Sequence, residues 1–103
     1  MILRRSNLLA IAALLVLTCG PVLAKDVSHE QARRLLEQGA IKPLEQILAI
    51  VLAKVPGKVL ETELEYDDDG LVYDFKILRP GGRVQEVEVD AKTGRIIKIE
   101  DDD

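Results

Sequence analysis

The sequence predicts an α+β protein in which two N-terminal helices pack on one face of a four-stranded antiparallel sheet. From residue 59 to residue 100, four runs alternate apolar and polar residues with a period of two, and three glycine-bearing turns separate them. From residue 28 to residue 55, the apolar residues instead recur at helical spacing. A sheet that is apolar on one face needs a cover, and the helices supply it.

The first 24 residues are predicted to form a secretory signal peptide. Arg4 and Arg5 make a basic start, residues 8–19 are almost entirely apolar, and Ala24 is a suitable small residue before a cleavage site. We expect cleavage after Ala24 and export to the periplasm. The remaining residues, 25–103, are predicted to form a single domain with a short acidic C-terminal tail.

Two alternatives to a cleaved signal peptide stay open. One is an uncleaved membrane anchor, although Gly20 and Pro21 interrupt the apolar run before it reaches the length of about 20 residues that spans a bilayer. The other is a lipoprotein with its lipid on Cys19, although Leu17 and Thr18 replace the small residues that such a signal prefers. The favoured prediction leaves no stable membrane anchor after cleavage.

The exported part of the chain is acidic. It keeps 12 of the 14 basic residues and all 18 acidic ones, so its formal charge is −6. Phosphate repels such a chain, which argues against nucleic acid as a partner. The single cysteine is lost with the signal peptide, so no disulfide is expected. We expect no cofactor and a monomer or a weak homodimer.

Local signals delimit the two predicted helices. Ser28 and Gln31 fit a capping box at the start of the first helix, and Gly39 ends it. Pro43 suits the first turn of the second helix, and Gly57 follows its end. The apolar stripes are Ala32, Leu35 and Leu36 in the first helix and Leu44, Ile47, Leu48, Val51, Leu52 and Val55 in the second.

The alternation also predicts which residues form the inner face of the sheet. They are Leu60, Thr62, Leu64 and Tyr66 in the first strand, Leu71, Tyr73, Phe75 and Ile77 in the second, Val87 and Val89 in the third, and Ile97 and Ile99 in the fourth. Inner residues must stay inner across each hairpin, because a slip of one residue turns every side chain over. The simplest register contains three pairs: Leu64 with Tyr73, Phe75 with Val87, and Val89 with Ile97.

The same register predicts an acidic row on the outer face, made of Glu63, Asp74, Glu88 and Lys98. Neighbouring carboxylates repel one another, so either solvent and salt screen this row or a cation binds it. A solvated outer face is the favoured interpretation, and no metal site is predicted. The weak candidate metal ligands are Asp67, Asp68, Asp69, Glu63, Asp74 and Glu88.

Two further motifs fail as functional sites. Residues 65–70 resemble the start of an EF-hand loop, but Glu65 stands at its first position and Lys76 at its twelfth, where the loop needs Asp and a bidentate Glu. Ser28 and His29 are adjacent on a predicted helix, so their side chains do not face each other. No catalytic residue is predicted, and we expect that the protein is not an enzyme.

The strand sequences carry a family resemblance. The segments VPGKVLETELEY, VYDFKIL and GGRVQEVEVDAKTGRI are similar to those of a PepSY domain, and the likeness covers roughly residues 27–101. LLEQGAIKPLEQILAIV also resembles small exported members of that family. The resemblance implies a non-catalytic binding role, and one such role is the inhibition or modulation of a protease. No protease domain follows in this sequence, so we expect any inhibition to act in trans.

Two functions follow from these observations. The first is an exported binding or regulatory module that docks on a protein partner, either a protease or the sensor domain of a membrane kinase, through the acidic outer face or a sheet edge. The second is a periplasmic protein that binds divalent cations or responds to envelope stress through its carboxylates.

Overall fold

The computed structural model describes residues 25–102, and the predicted signal peptide, residues 1–24, lies outside this range. The elements in chain order are β1 (Lys25–Asp26), α1 (His29–Glu37), α2 (Leu44–Lys54), β2 (Lys58–Asp67), β3 (Gly70–Leu78), β4 (Val84–Asp90) and β5 (Ile96–Asp101). Neither helix between residues 25 and 102 has the length and apolar character needed to cross a membrane.

All strands belong to one antiparallel sheet in the order β1-β2-β3-β4-β5. The predicted fold class is confirmed, because two helices precede four antiparallel strands joined by hairpins. The alternation did not predict β1, which pairs Lys25 with Tyr66 and Asp26 with Glu65. A strand of two residues is too short to produce a pattern of alternation.

The register of the central strands is the predicted one. Leu64 lies opposite Tyr73, and Phe75 lies opposite Val87. The outer row is also confirmed, because Glu63, Asp74, Glu88 and Lys98 are successive partners across β2 to β5.

Two irregularities change the predicted inner face near the ends of the sheet. In β2, Val59 pairs with Ile77 and Glu61 with Lys76, which leaves Leu60 as an extra residue. Val59 consequently packs against the core and Leu60 is 51% exposed, so the predicted inner position of Leu60 is wrong. A bulge reverses the alternation on one side of it, and period-two reasoning assumes that no such residue is inserted.

The second irregularity is in β5. Glu88 pairs with Lys98, but Val89 pairs with Ile96, so the predicted pair of Val89 with Ile97 is wrong. Ile96 packs against the core in its place.

The core lies between α2 and the inner face of the sheet. Ile47 and Val51 of α2 are fully buried, and so are Phe75, Ile77 and Val87 of the sheet. Leu48 and Leu52 are partly buried against the same cluster, which confirms most of the predicted stripe. Leu44, at the start of the stripe, is 38% exposed. The second helix therefore provides the cover that the one-sided sheet requires.

The α1 helix is well capped but lies at the margin of this core. The Ser28 side chain accepts a hydrogen bond from the backbone N–H of Gln31, and the Gln31 side chain accepts one from the backbone N–H of Ser28, so the predicted capping box is confirmed. Gly39, with φ of 75°, terminates the helix in a Schellman arrangement. No residue of α1 is fully buried, and Leu36 is 43% exposed.

Candidate functional site

One side of the sheet concentrates negative charge, and we call it the carboxylate face. Its members are Glu61, Glu63, Glu65, Asp67, Asp74, Glu86 and Glu88. They come from the outward positions of β2, β3 and β4, so the period of two that buries the apolar residues also gathers these acids. A shallow cleft of about 190 Å³ lies among several of them.

Two lysines neutralise one part of this face. Lys76 Nζ lies 3.7 Å from Glu61 and 3.5 Å from Asp102. Lys98 Nζ lies 3.7 Å from Glu88 and 3.5 Å from Glu100. These pairs are partly exposed, so each adds little to stability.

Asp74 sits in the middle of the face, in an environment that opposes its charge. Its Oδ1 atom is buried and has no hydrogen-bond partner among the described residues. Burial, followed by the neighbouring carboxyl of Glu86 and the charges of Glu65 and Glu88, raises the pKa of Asp74 to about 8. At neutral pH this carboxyl therefore holds a proton much more readily than an ordinary aspartate does.

Glu65, which lies where β1 pairs with β2, also has a raised pKa. Burial and the neighbouring Glu63, with smaller contributions from Asp26 and Asp67, raise the pKa of Glu65 to about 7.

Val72, which the register places on the same face between Glu65 and Asp90, is fully buried yet stands apart from the apolar core. The surrounding polar side chains must cover it, which accounts for their desolvation.

The structure brings together some of the candidate metal ligands but not all of them. Three groups each place one carboxylate oxygen per residue within 4.8 Å of the others: Asp67, Asp69 and Glu88; Asp74, Glu86 and Glu88; and Asp26, Glu63 and Glu65. Asp68 belongs to none of these groups. Three oxygens are fewer than the six to eight that Ca²⁺ takes, so bound water or further ligands would have to complete each site.

A second surface feature lies on the opposite side of β2, and we call it the α1–β2 groove. It has a volume of about 600 Å³ and is mostly apolar. Its principal lining residues are Val27, Leu36, Ile41, Leu44, Leu64 and Tyr73. Thr62, predicted to point into the core, is exposed and lines this groove as well.

The sequence did not predict the groove. The apolar stripe of α1 predicts that this helix closes onto the sheet, but α1 stands far enough from β2 to leave Leu36 and Leu44 accessible. The sequence does carry one sign that the cover is incomplete. The apolar stripe of α1 is narrow, and a helix of nine residues cannot cover a long strand.

The Ser28 and His29 pair is arranged as the capping prediction requires. Ser28 Oγ lies 3.1 Å from the backbone nitrogen of Gln31, from which it accepts a hydrogen bond. His29 is exposed and lies at the rim of the α1–β2 groove.

Comparison with known proteins identifies the family. The PepSY family profile, described as "Peptidase propeptide and YPEB domain", matches residues 41–100, more than half of the chain.

The chain belongs to the PepSY family.

The chain is similar to the Bacillus subtilis (strain 168) protein named "Uncharacterized protein YkoJ". It is 37% identical over 79 residues, which are 77% of this chain and 46% of that protein. The chain thus spans about half the length of the curated relative that it matches. No solved structure matches the chain described here.

The PepSY match also divides the α1–β2 groove into two parts. Leu44, Leu64 and Tyr73 lie within residues 41–100, whereas β1 and α1 precede them. The groove is therefore built where the PepSY sheet meets the segment in front of it.

Proposed function

We propose that this protein is a non-catalytic, exported PepSY module that binds another protein in the periplasm and modulates it, the partner being a protease or a sensor domain. The observation that carries this proposal is the α1–β2 groove, a mostly apolar concavity of about 600 Å³. The family description, which names peptidase propeptides, supports a protease as the first partner to test.

The groove suits a protein ligand because it leaves large apolar side chains accessible. Leu36 and Leu44 line it from two different helices, and both would lose contact with water when a partner side chain enters. Accessible apolar clusters of this kind mark interaction sites more often than scattered single residues do.

Photo-cross-linking tests the partner directly. A photoreactive amino acid replaces Leu36 in the groove, and a matched protein carries it at Arg83, an exposed hairpin residue that does not line the groove. We expect a defined cross-linked partner from Leu36 in living cells and not from Arg83. Identical products from both positions, or none from Leu36, would contradict the proposal.

An activity assay tests modulation of a protease. The purified protein is added to a thermolysin-like metallopeptidase and to an unrelated serine protease, and peptide cleavage is followed. We expect the rate to change only with the metallopeptidase, and Leu36→Ser to weaken the effect. If neither rate changes while Leu36 still cross-links to another protein, both tested proteases are excluded as partners and a sensor becomes the favoured partner.

Export is tested by sequencing the N-terminus of the protein recovered from the periplasm. Cleavage after Ala24 gives Lys25 as the first residue. A protein that retains Arg4 and Arg5, or that carries lipid on Cys19, would instead establish one of the anchored alternatives.

A second candidate function, the binding of a divalent cation, is favoured by the unpartnered Oδ1 atom of Asp74 beside Glu86 and Glu88. Calorimetry with Ca²⁺ and Mg²⁺ at pH 9, where Asp74 is ionised, tests it. We expect the Asp74→Asn variant to lose any heat of binding and Asp68→Asn to retain it. If millimolar metal produces neither heat nor a shift in the melting temperature, this function is excluded.

A further inference from the structure

We propose that the α1–β2 groove and the adjoining edge of β2 together bind an extended segment of the partner, which adds to β2 as an antiparallel strand and whose side chains alternate between apolar and basic. This inference rests on the proposed function and specifies the chemistry of the partner. It is carried by three neighbouring features of β2: an open backbone edge, an apolar groove on one side of that edge and unpaired carboxylates on the other.

The open edge begins where β1 ends. Lys25 and Asp26 pair with Tyr66 and Glu65, and the backbone N–H of Val27 donates to the carbonyl oxygen of Leu64 at 2.9 Å. Residues two apart in a strand present their backbone groups to the same edge. Thr62 therefore directs its N–H and C=O outward, beyond the last described residue that pairs with this side of β2. Free backbone groups at the edge of a sheet are a template for another strand, and here they lie between the bond of Leu64 to Val27 and the bulge at Leu60.

The side chains of an added strand would meet two different surfaces. Those that point to the inner side of the sheet enter the α1–β2 groove, where Leu36, Leu44 and Leu64 favour apolar groups. Those that point to the outer side stand beside Glu61 and Glu63, which occupy alternate positions along β2, while Asp26 of β1 already lies opposite Glu65.

The outer positions call for basic side chains. Oxygens of Asp26, Glu63 and Glu65 lie within 4.8 Å of one another. Among the described side chains, an ion pair reaches Glu61 through Lys76, but none reaches Glu63 or Glu65. A lysine or arginine opposite Glu63 on the added strand would form a favourable cross-strand pair beside this cluster.

A second copy of the chain is a poorer occupant of this edge. Antiparallel pairing of the open part of β2 with that of another β2 would place Glu61 and Glu63 beside the same acids of the second copy, and like charges directly opposite are destabilising. The bulge at Leu60 limits the regular edge to a few residues from Glu61 onward, so the paired segment is short.

Capped eight-residue peptides and the purified full-length exported protein test the proposal. One peptide alternates valine and lysine, a second alternates valine and glutamate, and a third has the composition of the first with its lysines and valines in separate blocks. Binding is measured by fluorescence anisotropy at low salt. We expect the first peptide to bind at least ten-fold more tightly than either of the others, and comparable binding of the first and third would overturn the proposal.

Variants at Thr62 separate strand addition from simple charge attraction. Thr62→Pro removes the outward N–H without removing a bond between β2 and β3, and proline is tolerated at such an edge. We expect it to weaken binding of the alternating peptide at least ten-fold, while Thr62→Val, which keeps the N–H, changes binding less than two-fold. Equal affinities for the two variants would contradict pairing at this edge.

Modified peptides keep the test valid if Thr62→Pro fails to fold. In an antiparallel pair, the residue opposite Thr62 shares its face and directs its own N–H toward β2. N-methylation of the valines should therefore abolish binding, and N-methylation of the lysines should preserve it. Equal effects of the two modifications would overturn the proposal. The cross-linking experiment at Leu36 uses no peptide, so the proposed function can stand when this inference fails.

Discussion

Asp74 illustrates how a single side chain on the carboxylate face links packing to pH. The unfolded chain loses this proton near the ordinary aspartate pKa of 3.8, whereas the folded chain keeps it until about pH 8. Between these values the folded state binds more protons than the unfolded state, so the stability falls as the pH rises. Glu65 acts in the same direction between its ordinary pKa of 4.5 and about 7.

Replacing Asp74 with Asn should remove this residue's share of the pH dependence. Asn cannot ionise, so the facing charges of Glu65, Glu86 and Glu88 no longer repel it. We expect equal stability of Asp74→Asn and wild type near pH 4 and a gain of about 1–2 kcal/mol for the variant at pH 9, a magnitude discounted for partial exposure. Urea denaturation at pH 4, 6 and 9 measures the difference.

Asp68→Asn is the matched control for this measurement, because Asp68 is exposed in the first hairpin and belongs to no carboxylate group. Its stability relative to wild type should not vary in the same way with pH. A pH-independent difference for Asp74→Asn would contradict the idea that its carboxyl is protonated in the folded protein.

Among the elements, α1 is held mainly by its own caps and by Leu35, the helix residue that packs against the core. A helix with few buried contacts can open without unfolding the whole domain. The cap at Ser28 therefore controls the population in which α1 is open, and with it the shape of the α1–β2 groove.

Ser28→Ala tests this local role. Loss of an N-cap costs about 1 kcal/mol, which corresponds to roughly five-fold faster amide exchange within α1 if opening limits exchange. The melting temperature of the domain should change little. Ser28→Asp, which preserves a capping oxygen, should exchange as wild type does. A large drop in the melting temperature for Ser28→Ala would show that α1 unfolds only with the rest of the domain.

The turn between α2 and β2 depends on a close approach of backbone segments. A Cβ atom on Gly57 would overlap the carbonyl oxygen of Leu78 and lie 2.8 Å from Ile77 Cγ2. Gly57→Ala should therefore destabilise the protein by about 1–3 kcal/mol, since β3 cannot move without disturbing the core. Denaturation curves measure this loss, and Lys58→Ala, a change at the exposed neighbour, should alter stability by less than about 0.5 kcal/mol.

These elements show which parts of the structure the sequence can predict. The row of Glu63, Asp74 and Glu88 follows from the alternation, because parity is enough to place residues on one face. The displaced positions of Leu60 and Ile97 do not follow from it, because each depends on where the ladder admits an extra residue. The raised pKa values on the carboxylate face do not follow from the alternation either. They depend on burial, and the alternation places Val72 on the outer, polar face although the structure buries it.

At the scale of the whole molecule, the two faces of the sheet have different roles. Its inner face, with α2, provides the apolar core, while the outer face accumulates carboxylates that this packing does not need. The α1–β2 groove lies where the cover of the inner face is incomplete. The short stripe of α1 could indicate that the cover is incomplete, but the position of α1 relative to β2 depends on tertiary contacts, so the sequence pattern could not locate this groove.

The excess of acidic residues in the chain should make its stability depend on salt. Repulsion across the carboxylate face lowers stability, and added NaCl screens it by shortening the Debye length from roughly 20 Å at about 0.02 M to roughly 4 Å at about 0.5 M. We expect this change to raise the melting temperature by several degrees at pH 9. The rise should be smaller at pH 5, where Asp74 and Glu65 hold their protons. A variant with both Glu63→Gln and Glu65→Gln should show a smaller rise in melting temperature at pH 9 than the wild type does. If the melting temperature of the wild type rises equally at pH 5 and pH 9, the cause is a general salt effect and not repulsion on this face.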